Sequence, residues 1–526
     1  MSTFSLVKKN IIDYLYPILI IIFSFLINWN YSKYGVFPID TFLQYDSAYK
    51  ILNGEYPIRD YWVVSGIFVD ILQSIFFKIL GVNWYAYIVH SSLLNSIICV
   101  LTFYILIKLN LKKIVAFFYA ISFSVLAYTI SGTPFLDLHA TFFSLIAIYL
   151  TFSAIKNPEK KLNWFLIVMF YYISFLSKQV PAAYLVIINI LIILPYLLIN
   201  KNFKPIVIIV LSVIFFLFLT LLMLKITNIN FGLFFIQYLE YPRSIGSERF
   251  DNFNISIETT FNKYKFILIP SLILSYIKIK KLFSKKINFY SIEFTIFLIL
   301  LSFTLCLIFH QLLTKNQIYI YFLIPLNLAF LQIELEKSNI KLKLFLTYLI
   351  MFLLFFLSTK YHVRFNETRK FHELENTDLS RYVDAGTLDK SLKGNLWISP
   401  FYKGEPKDEI TMLKKIKNEI DKKPNEIMVI THYLFLDSIT AKKLNSPSRT
   451  HTLDGASIPI IKNKYFDYYK NYFKSKIINQ NIEKIYFIKN ENISIKIFTN
   501  LFSKNCYTRY EDDLFIYFSI DKKCLN

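Results

Sequence analysis

Three aspartates, Asp40, Asp46 and Asp60, stand in the segment FPIDTFLQYDSAYKILNGEYPIRDYW (residues 37–62), just after a hydrophobic stretch. Carboxylates are costly near hydrocarbon, so acids held at a lipid–water boundary mark a functional-site candidate. Three more segments carry reactive side chains where apolar stretches begin or end. In GTPFLDLHATFF (132–143), Asp137 and His139 immediately precede an apolar span, and in FLSKQVPAAY (175–184), Lys178 is pressed between two. The long segment 225–265 adds Tyr241, Arg243 and Arg249. A lysine placed like Lys178 either snorkels to water or awaits an anion such as a lipid phosphate. Acids with such a cation suit transfer of a group from a lipid-linked phosphate. The leaving phosphate needs its developing charge neutralised, and one carboxylate accepts the proton of the acceptor hydroxyl. The acid/base carboxylate pair of a glycosidase is not required.

The elements that must position these groups are membrane helices. Runs long enough to cross ~30 Å of hydrocarbon at ~1.5 Å per residue occupy 11–28, 84–107, 114–130, 140–155, 164–175 with its continuation, and 182–198. They continue at 205–224, 266–277, 292–309, 318–333 and 344–357, about eleven in all. The first is preceded by Lys8 and Lys9 and followed by no small-residue cleavage site, so it is expected to be a retained anchor. Alternate loops are rich in lysine: Lys108, Lys112 and Lys113, then Lys156, Lys160 and Lys161, then Lys201 and Lys204. Lys278, Lys280, Lys281, Lys285 and Lys286, then Lys337, Lys341 and Lys343, continue the series. The positive-inside rule then predicts a cytoplasmic N-terminus in a cell membrane. Asp40, Asp46, Asp60, Asp137, Glu240 and Glu248 fall on the opposite side.

Residues 62–80 are apolar but interrupted by Asp70 and Lys78, which predicts an amphipathic helix along the membrane surface rather than another span. The expected organisation is a transmembrane domain over 1–359, with an outward loop at 31–62 and the interfacial helix at 62–80. An extracytoplasmic α/β domain over 360–526 follows. There, strand-like runs (395–398, 427–430, 485–488, 514–520) alternate with helical ones (409–421, 465–477 and 493–502). Its loop SPSRTHTLDG (446–455) offers Arg449 and His451, which with Tyr433 are candidates for acceptor binding.

Composition excludes several classes. The 526 residues are 55% hydrophobic, above the soluble norm. With 11 glycines, the chain has neither G-x-G-x-x-G nor a P-loop, so nothing supports dinucleotide or P-loop chemistry. The net charge of +22 sits in lysines between spans, which argues against nucleic acid. The seven histidines form no zinc pattern. Cys99 and Cys306 fall within apolar segments, whereas Cys506 and Cys524 flank a strand-like run and can pair in an oxidising compartment.

The loop pattern resembles the GT-C superfamily of polyprenyl-phosphate-dependent glycosyltransferases, closest to its protein-mannosyltransferase-like and aminoarabinose-transferase-like branch. The motifs carrying the resemblance are Asp46, Tyr49, Gly54-Glu55-Tyr56-Pro57-Ile58-Arg59-Asp60, and Phe77-Lys78-Ile79-Leu80-Gly81, with Asp137 opening a later helix and Lys178 further on. It covers roughly residues 1–360. It implies catalytic carboxylates at Asp46, Asp137 and Asp60, with Asp46 the base of an inverting single displacement. It also implies donor-phosphate contacts from Lys178 with Arg243, and substrate contacts from Tyr49, Tyr56, Arg59 and His139. The implied partners are a polyprenyl-phosphate-linked sugar, a lipid, glycan or protein acceptor, and membrane lipids. A divalent cation, magnesium or manganese, held by Asp46 and Asp137 stays open. Two positions depart from the family: Asp46-Ser47 replaces a frequent double acid, and Tyr61-Trp62 replaces Pro-Pro or Lys-Pro. A transporter or flippase for a lipid-linked sugar is the alternative, as is an O-antigen ligase or polymerase. Transporters place ionisable groups at the midplane, whereas here the acids gather at one face.

Overall fold

The computed structural model describes residues 3–250, 253–314, 319–338, 341–452, 454–489, 491, 493 and 495–525. Each apolar run expected to span falls mainly on a helix; the run 114–130 passes through a turn at 125–127, and in 318–333 Ile318 lies outside the described residues and Tyr319 is not helical. Among the described residues, eight helices are long and apolar enough to cross a membrane. They are Tyr14–Tyr31, Trp84–Lys108, Lys113–Ile130, Leu136–Lys156, Gln179–Ile199, Lys204–Ile226, Ile292–Thr314 and Lys343–His372. Eight rather than about eleven therefore meet that standard. Of the other three, Lys161–Ser177 has 17 residues and Leu323–Glu336 has 14, while Lys263–Phe283 carries Lys278, Lys280 and Lys281 near its end. Only 11% of the most apolar window of Lys204–Ile226 is buried. An apolar face that size marks an interaction surface, and eight such helices make this a multi-pass membrane protein.

The chain forms two compact units. One comprises Met1–Ser32, Ile88–Leu219 and Phe253–Phe371; the other comprises Lys33–Tyr87, Thr220–Asn252 and His372–Asn526. The segment 33–87, with the acidic loop and the helix after it, thus groups with the C-terminal region rather than with the helices that precede 359/360.

The first unit is helical. Its central helix, Leu136–Lys156, has 89% of its window buried. Helix direction separates two chemically distinct ends. At one end Lys156 Nζ donates to the Lys108 carbonyl (2.6 Å), and Lys278 Nζ lies 2.7 Å from Glu293 and 2.8 Å from Glu334. At the other end lie Asp137, in the first turn of Leu136–Lys156, and His310, four residues before the end of Ile292–Thr314. The lysine-rich loops at 108–113, 156–161, 278–286 and 337–343 thus adjoin helix ends opposite to Asp137. A polar seam joins helices inside the unit: Asn28 Nδ2 donates to Ser91 Oγ (3.1 Å), Ser92 Oγ (2.9 Å) and the Gly132 carbonyl (3.2 Å). Small residues let backbones approach closely in lipid. Gly132 is the extreme case, with φ +78° and room for a Cβ only 2.9 Å from Ser32 Cα.

The second unit contains a four-stranded sheet in the order Ile427–Ile430, Lys484–Ile488, Phe515–Ile520, Tyr507–Glu511. The first pair is parallel and the others antiparallel. Helices Pro406–Lys422 and Phe466–Asn479 accompany it. Three expected strands are present. Residues 395–398 instead give only the two-residue pairing of Leu396–Trp397 with Val383–Asp384. The edge strand Tyr507–Glu511 went unread because its residues are almost all exposed. The helix expected over 493–502 is restricted to Lys496–Thr499; residue 494 lies outside the described residues. A disulfide joins Cys506 to Cys524, with a Cα separation of 5.6 Å.

Helix Ile67–Leu80 buries the polar Asp70, Gln73 and Ser74 together with Ile67, Val69 and Phe77, and it exposes Ile75, Ile79 and Leu80 beside Lys78. That is the pattern of a helix at a membrane surface.

Gly132→Ala should lose both the left-handed backbone, about 1–2 kcal/mol, and the close approach to Ser32. Gly54→Ala, at φ +81° with open space around it, should lose only the backbone part. Thermal unfolding of the purified protein in detergent checks this; equal losses would remove the packing role assigned to Gly132.

Candidate functional site

In the first unit the chain breaks from helix around residues 178–180, where Lys178 and Val180 are both extended, to build a site. Lys178 ends helix Lys161–Ser177 and caps Gln179–Ile199 with extended backbone (φ −160°, ψ 132°), which frees its side chain from both helices. Its Nζ lies 2.5 Å from Asp137 Oδ2. The other carboxylate oxygen of Asp137 faces His310 Nε2 at 3.2 Å and accepts from the Tyr319 hydroxyl at 3.4 Å. Asp137 and His310 are buried, while the Lys178 side chain is 28% exposed. The cation expected to await an anion therefore already faces a carboxylate. Sequence reasoning missed His310 and Tyr319. His310 follows the run 292–309 by one residue, and a histidine closing an apolar span was the available signal; Tyr319 gave none.

His139 does not join this cluster. Two residues along a helix face different directions, and His139 points into the interior. Its Nδ1 is 2.6 Å from the Tyr128 hydroxyl and its Nε2 is 2.9 Å from His90 Nε2.

An apolar groove of about 410 Å³ lies between helices Gln179–Ile199 and Ile292–Thr314. Tyr184, Ile187 and Ile188 of the first form one wall, and Ser302, Leu305 and Phe309 of the second form much of the other. None of Asp137, Lys178 and His310 lines it.

In the second unit Asp46 is buried on helix Leu43–Leu52, where Lys50 sits one turn on. Lys50 Nζ is 2.7 Å from Asp46 Oδ2 and 3.7 Å from Asp437 Oδ2. Burial pushes the Asp46 carboxyl up to about 7, with Lys50 pulling the other way. Burial opposes the Lys50 charge, yet Asp46, Asp437 and Glu55 hold its pKa above the ordinary value. Asp46 Oδ1 has no hydrogen-bond partner in the protein.

The neighbouring residues serve mainly to fix this loop. Asp60 accepts from the Tyr56 amide (2.7 Å) and from Arg59 Nε (2.9 Å). Arg59 also donates to the Thr227 carbonyl (2.9 Å) and lies over the Tyr56 ring at 5.0 Å. Tyr49 is partly exposed. Arg243 is 82% exposed and 3.8 Å from Glu240, a surface pairing of small energetic weight.

Most described residues of the loop at 446–455 are buried or half-buried, with Asp454 exposed. Arg449 is buried: it donates to Ser47 Oγ (3.0 Å) and the Ser65 carbonyl (2.7 Å) and forms an ion pair with Asp70. Burial pushes Asp70 up to about 7 against the pull of Arg449. His451 is buried too, and burial lowers its pKa to about 3. Tyr433, also buried, donates to Glu409 Oε1 (2.9 Å). Glu409 also accepts from Trp397 Nε1 (2.8 Å), and burial raises it to about 7. The side chains expected to meet an acceptor are thus committed inside the unit.

A divalent cation does not fit these residues. Lys50 occupies one oxygen of Asp46 and Lys178 one oxygen of Asp137. An ammonium group at that distance repels a cation. Among the described residues, no group of three or more His, Cys, Asp and Glu side chains is placed to hold a metal ion.

Arg449→Met should cost about 3–5 kcal/mol, because it strands the buried Asp70 charge. Adding Asp70→Asn should restore much of that loss. A double-mutant cycle read by thermal unfolding measures this coupling; additive losses would return Arg449 to the pool of ligand-binding candidates.

No protein-family model matches this chain, and no curated protein matches it significantly.

Proposed function

We propose that the protein is an integral-membrane glycosyltransferase that moves a sugar from a polyprenyl-phosphate donor to a lipid, glycan or protein acceptor on the extracytoplasmic face. The observation that carries this reading is the Asp137–Lys178–His310 cluster, together with an apolar groove between the helix that follows Lys178 and the helix that carries His310. A phosphate on a long apolar chain needs both features: a partly exposed cation for the head and an apolar channel for the tail. The lysine-rich ends of the helices, opposite Asp137, support an outward placement of that cluster. The Cys506–Cys524 disulfide supports an oxidising compartment for the C-terminal region.

The reading divides the chemical labour. In a single inverting displacement, the base stands across the anomeric carbon from the leaving phosphate. Asp137 touches Lys178 directly, so if Lys178 meets the phosphate, Asp137 is on the leaving-group side. Its part is to hold the lysine, which trades one anion for another when the donor arrives. The C1–O bond to the phosphate breaks as the acceptor oxygen bonds to C1, and the electron pair leaves with the phosphate beside Lys178. The acceptor proton goes to a carboxylate base, a part that the resemblance alone, and no arrangement of the two units, assigns to Asp46. A carboxyl raised to about 7 suits proton acceptance near neutrality.

Asp46→Asn should lower turnover by ~10²–10⁴-fold with expression intact. Lys178→Ala should weaken donor binding as well as turnover, by about 1.5–3 kcal/mol. Assays of purified protein with a polyprenyl-phosphate sugar measure both. Near-normal turnover of Asp46→Asn would move the base elsewhere, and unchanged donor affinity of Lys178→Ala would leave that lysine a snorkelling side chain. The base acts deprotonated, so wild-type turnover should rise with pH through about 7 and then level off. A profile flat from about pH 5 would indicate an unshifted aspartate. Glycan profiling of a deletion strain should reveal one missing sugar; an intact profile with mislocalised lipid-linked precursor would favour transport.

A further inference from the structure

The end of the first unit opposite Asp137 holds a second built feature. The helix ends there enclose a cavity of about 320 Å³ whose polar wall is Lys156, Lys278, Lys337, Glu293 and Glu334. The remaining wall is largely apolar, with Phe297 and Phe330 among its residues.

Its charges do not balance. Lys278 Nζ lies 2.7 Å from Glu293 and 2.8 Å from Glu334; Lys281 Nζ lies 3.1 and 2.7 Å from the same two residues. Lys337 reaches them at 3.5 and 3.1 Å. Two carboxylates thus face three ammonium groups, and Lys156 brings a fourth whose Nζ donates to the Lys108 carbonyl (2.6 Å). Three cations less two anions in the wall leave an excess of one positive charge, and Lys281, behind the wall on the same two carboxylates, brings the cluster's excess to two. Like charges gathered this closely are unfavourable unless a further anion joins them, and the apolar wall selects an anion with an apolar body. Basic pockets between membrane helices bind anionic lipid head groups on this logic.

We propose that this cavity binds the phosphate of an anionic phospholipid from the adjoining leaflet. The lysines meet the phosphate oxygens, and the apolar wall accepts the start of the acyl chains. Lys337, with a side chain 41% exposed, stands at the open side of the cluster, while Lys278 forms its closed base. Bound phosphate would tie together helices Lys263–Phe283, Ile292–Thr314 and Leu323–Glu336, whose ends supply the cluster.

The test uses the full chain in nanodiscs of phosphatidylcholine, alone or with phosphatidylglycerol. Native mass spectrometry reads retained lipid, and thermal unfolding reads stabilisation. Wild type should retain phosphatidylglycerol and unfold at a higher temperature with it. Lys156→Gln with Lys337→Gln should bind it about tenfold or more weakly while matching wild type in phosphatidylcholine alone. If the double variant does not fold, Lys337→Gln alone carries the same comparison. Equal retention by wild type and variant, or no preference over phosphatidylcholine, would overturn the proposal. Inorganic phosphate added to phosphatidylcholine discs separates the sources. Stabilisation by it equal to that from phosphatidylglycerol would replace the lipid with a soluble phosphate compound.

Discussion

Charge removed from water and held by a few side chains organises the first unit. Asp137 is buried at a helix start, and among the described residues Lys178, His310 and Tyr319 stand in for the water it lacks. Removing one partner of such a pair typically costs more than the pair contributes, because the survivor is stranded. Three segments are therefore held in register: the start of Leu136–Lys156, the break at Lys178, and the end of Ile292–Thr314. Lipid supplies no hydrogen bonds to compensate for a slip. The apolar exterior and the Asn28–serine seam follow from the same constraint, since polar groups must find one another inside the bundle.

The second unit solves a different problem. A loop with several acids has no local reason to hold one shape, and its order comes from residues far along the chain. Trp62 sits at the junction: its ring contacts Tyr469 at 5.2 Å and Tyr241 at 5.7 Å. Its amide donates to the Pro447 carbonyl (2.9 Å) and its carbonyl accepts from the Arg449 amide (3.0 Å). A proline at position 62 has no amide hydrogen to donate. The departure at Tyr61-Trp62 from the pattern that the chain resembles thus coincides with the anchorage of its loop.

What the sequence made legible follows the range of the interaction. Strand Ile427–Ile430 and the helices around 409–421 and 465–477 were readable because period and length are local properties. The Asp46–Lys50 pair was readable in principle, since residues four apart share a helix face. The lysine loops gave the two-ended character of the bundle, because charge at helix ends is visible in order. The partner of Arg449 was not legible. Asp70 lies 379 positions away, and nothing in a loop reading SPSRTHTLDG distinguishes a buried arginine from a solvated one. His310 and Tyr319 were missed for the same reason, because only folding brings them to Asp137.

Lys178 stands at a break rather than at the start of a regular helix. Its own backbone is extended and Val180 is extended again (φ −122°, ψ 126°), so regular helix resumes only beyond that residue. Helix Leu136–Lys156 is matched to its dipole, with Asp137 in its first turn and Lys156 in its last. Asp137 is therefore favoured by its own helix as well as by Lys178. The result is a point where a lysine, an interrupted helix and a partly open surface coincide. Any anion arriving there meets the ammonium group, and the existing carboxylate is the competitor it must displace or join.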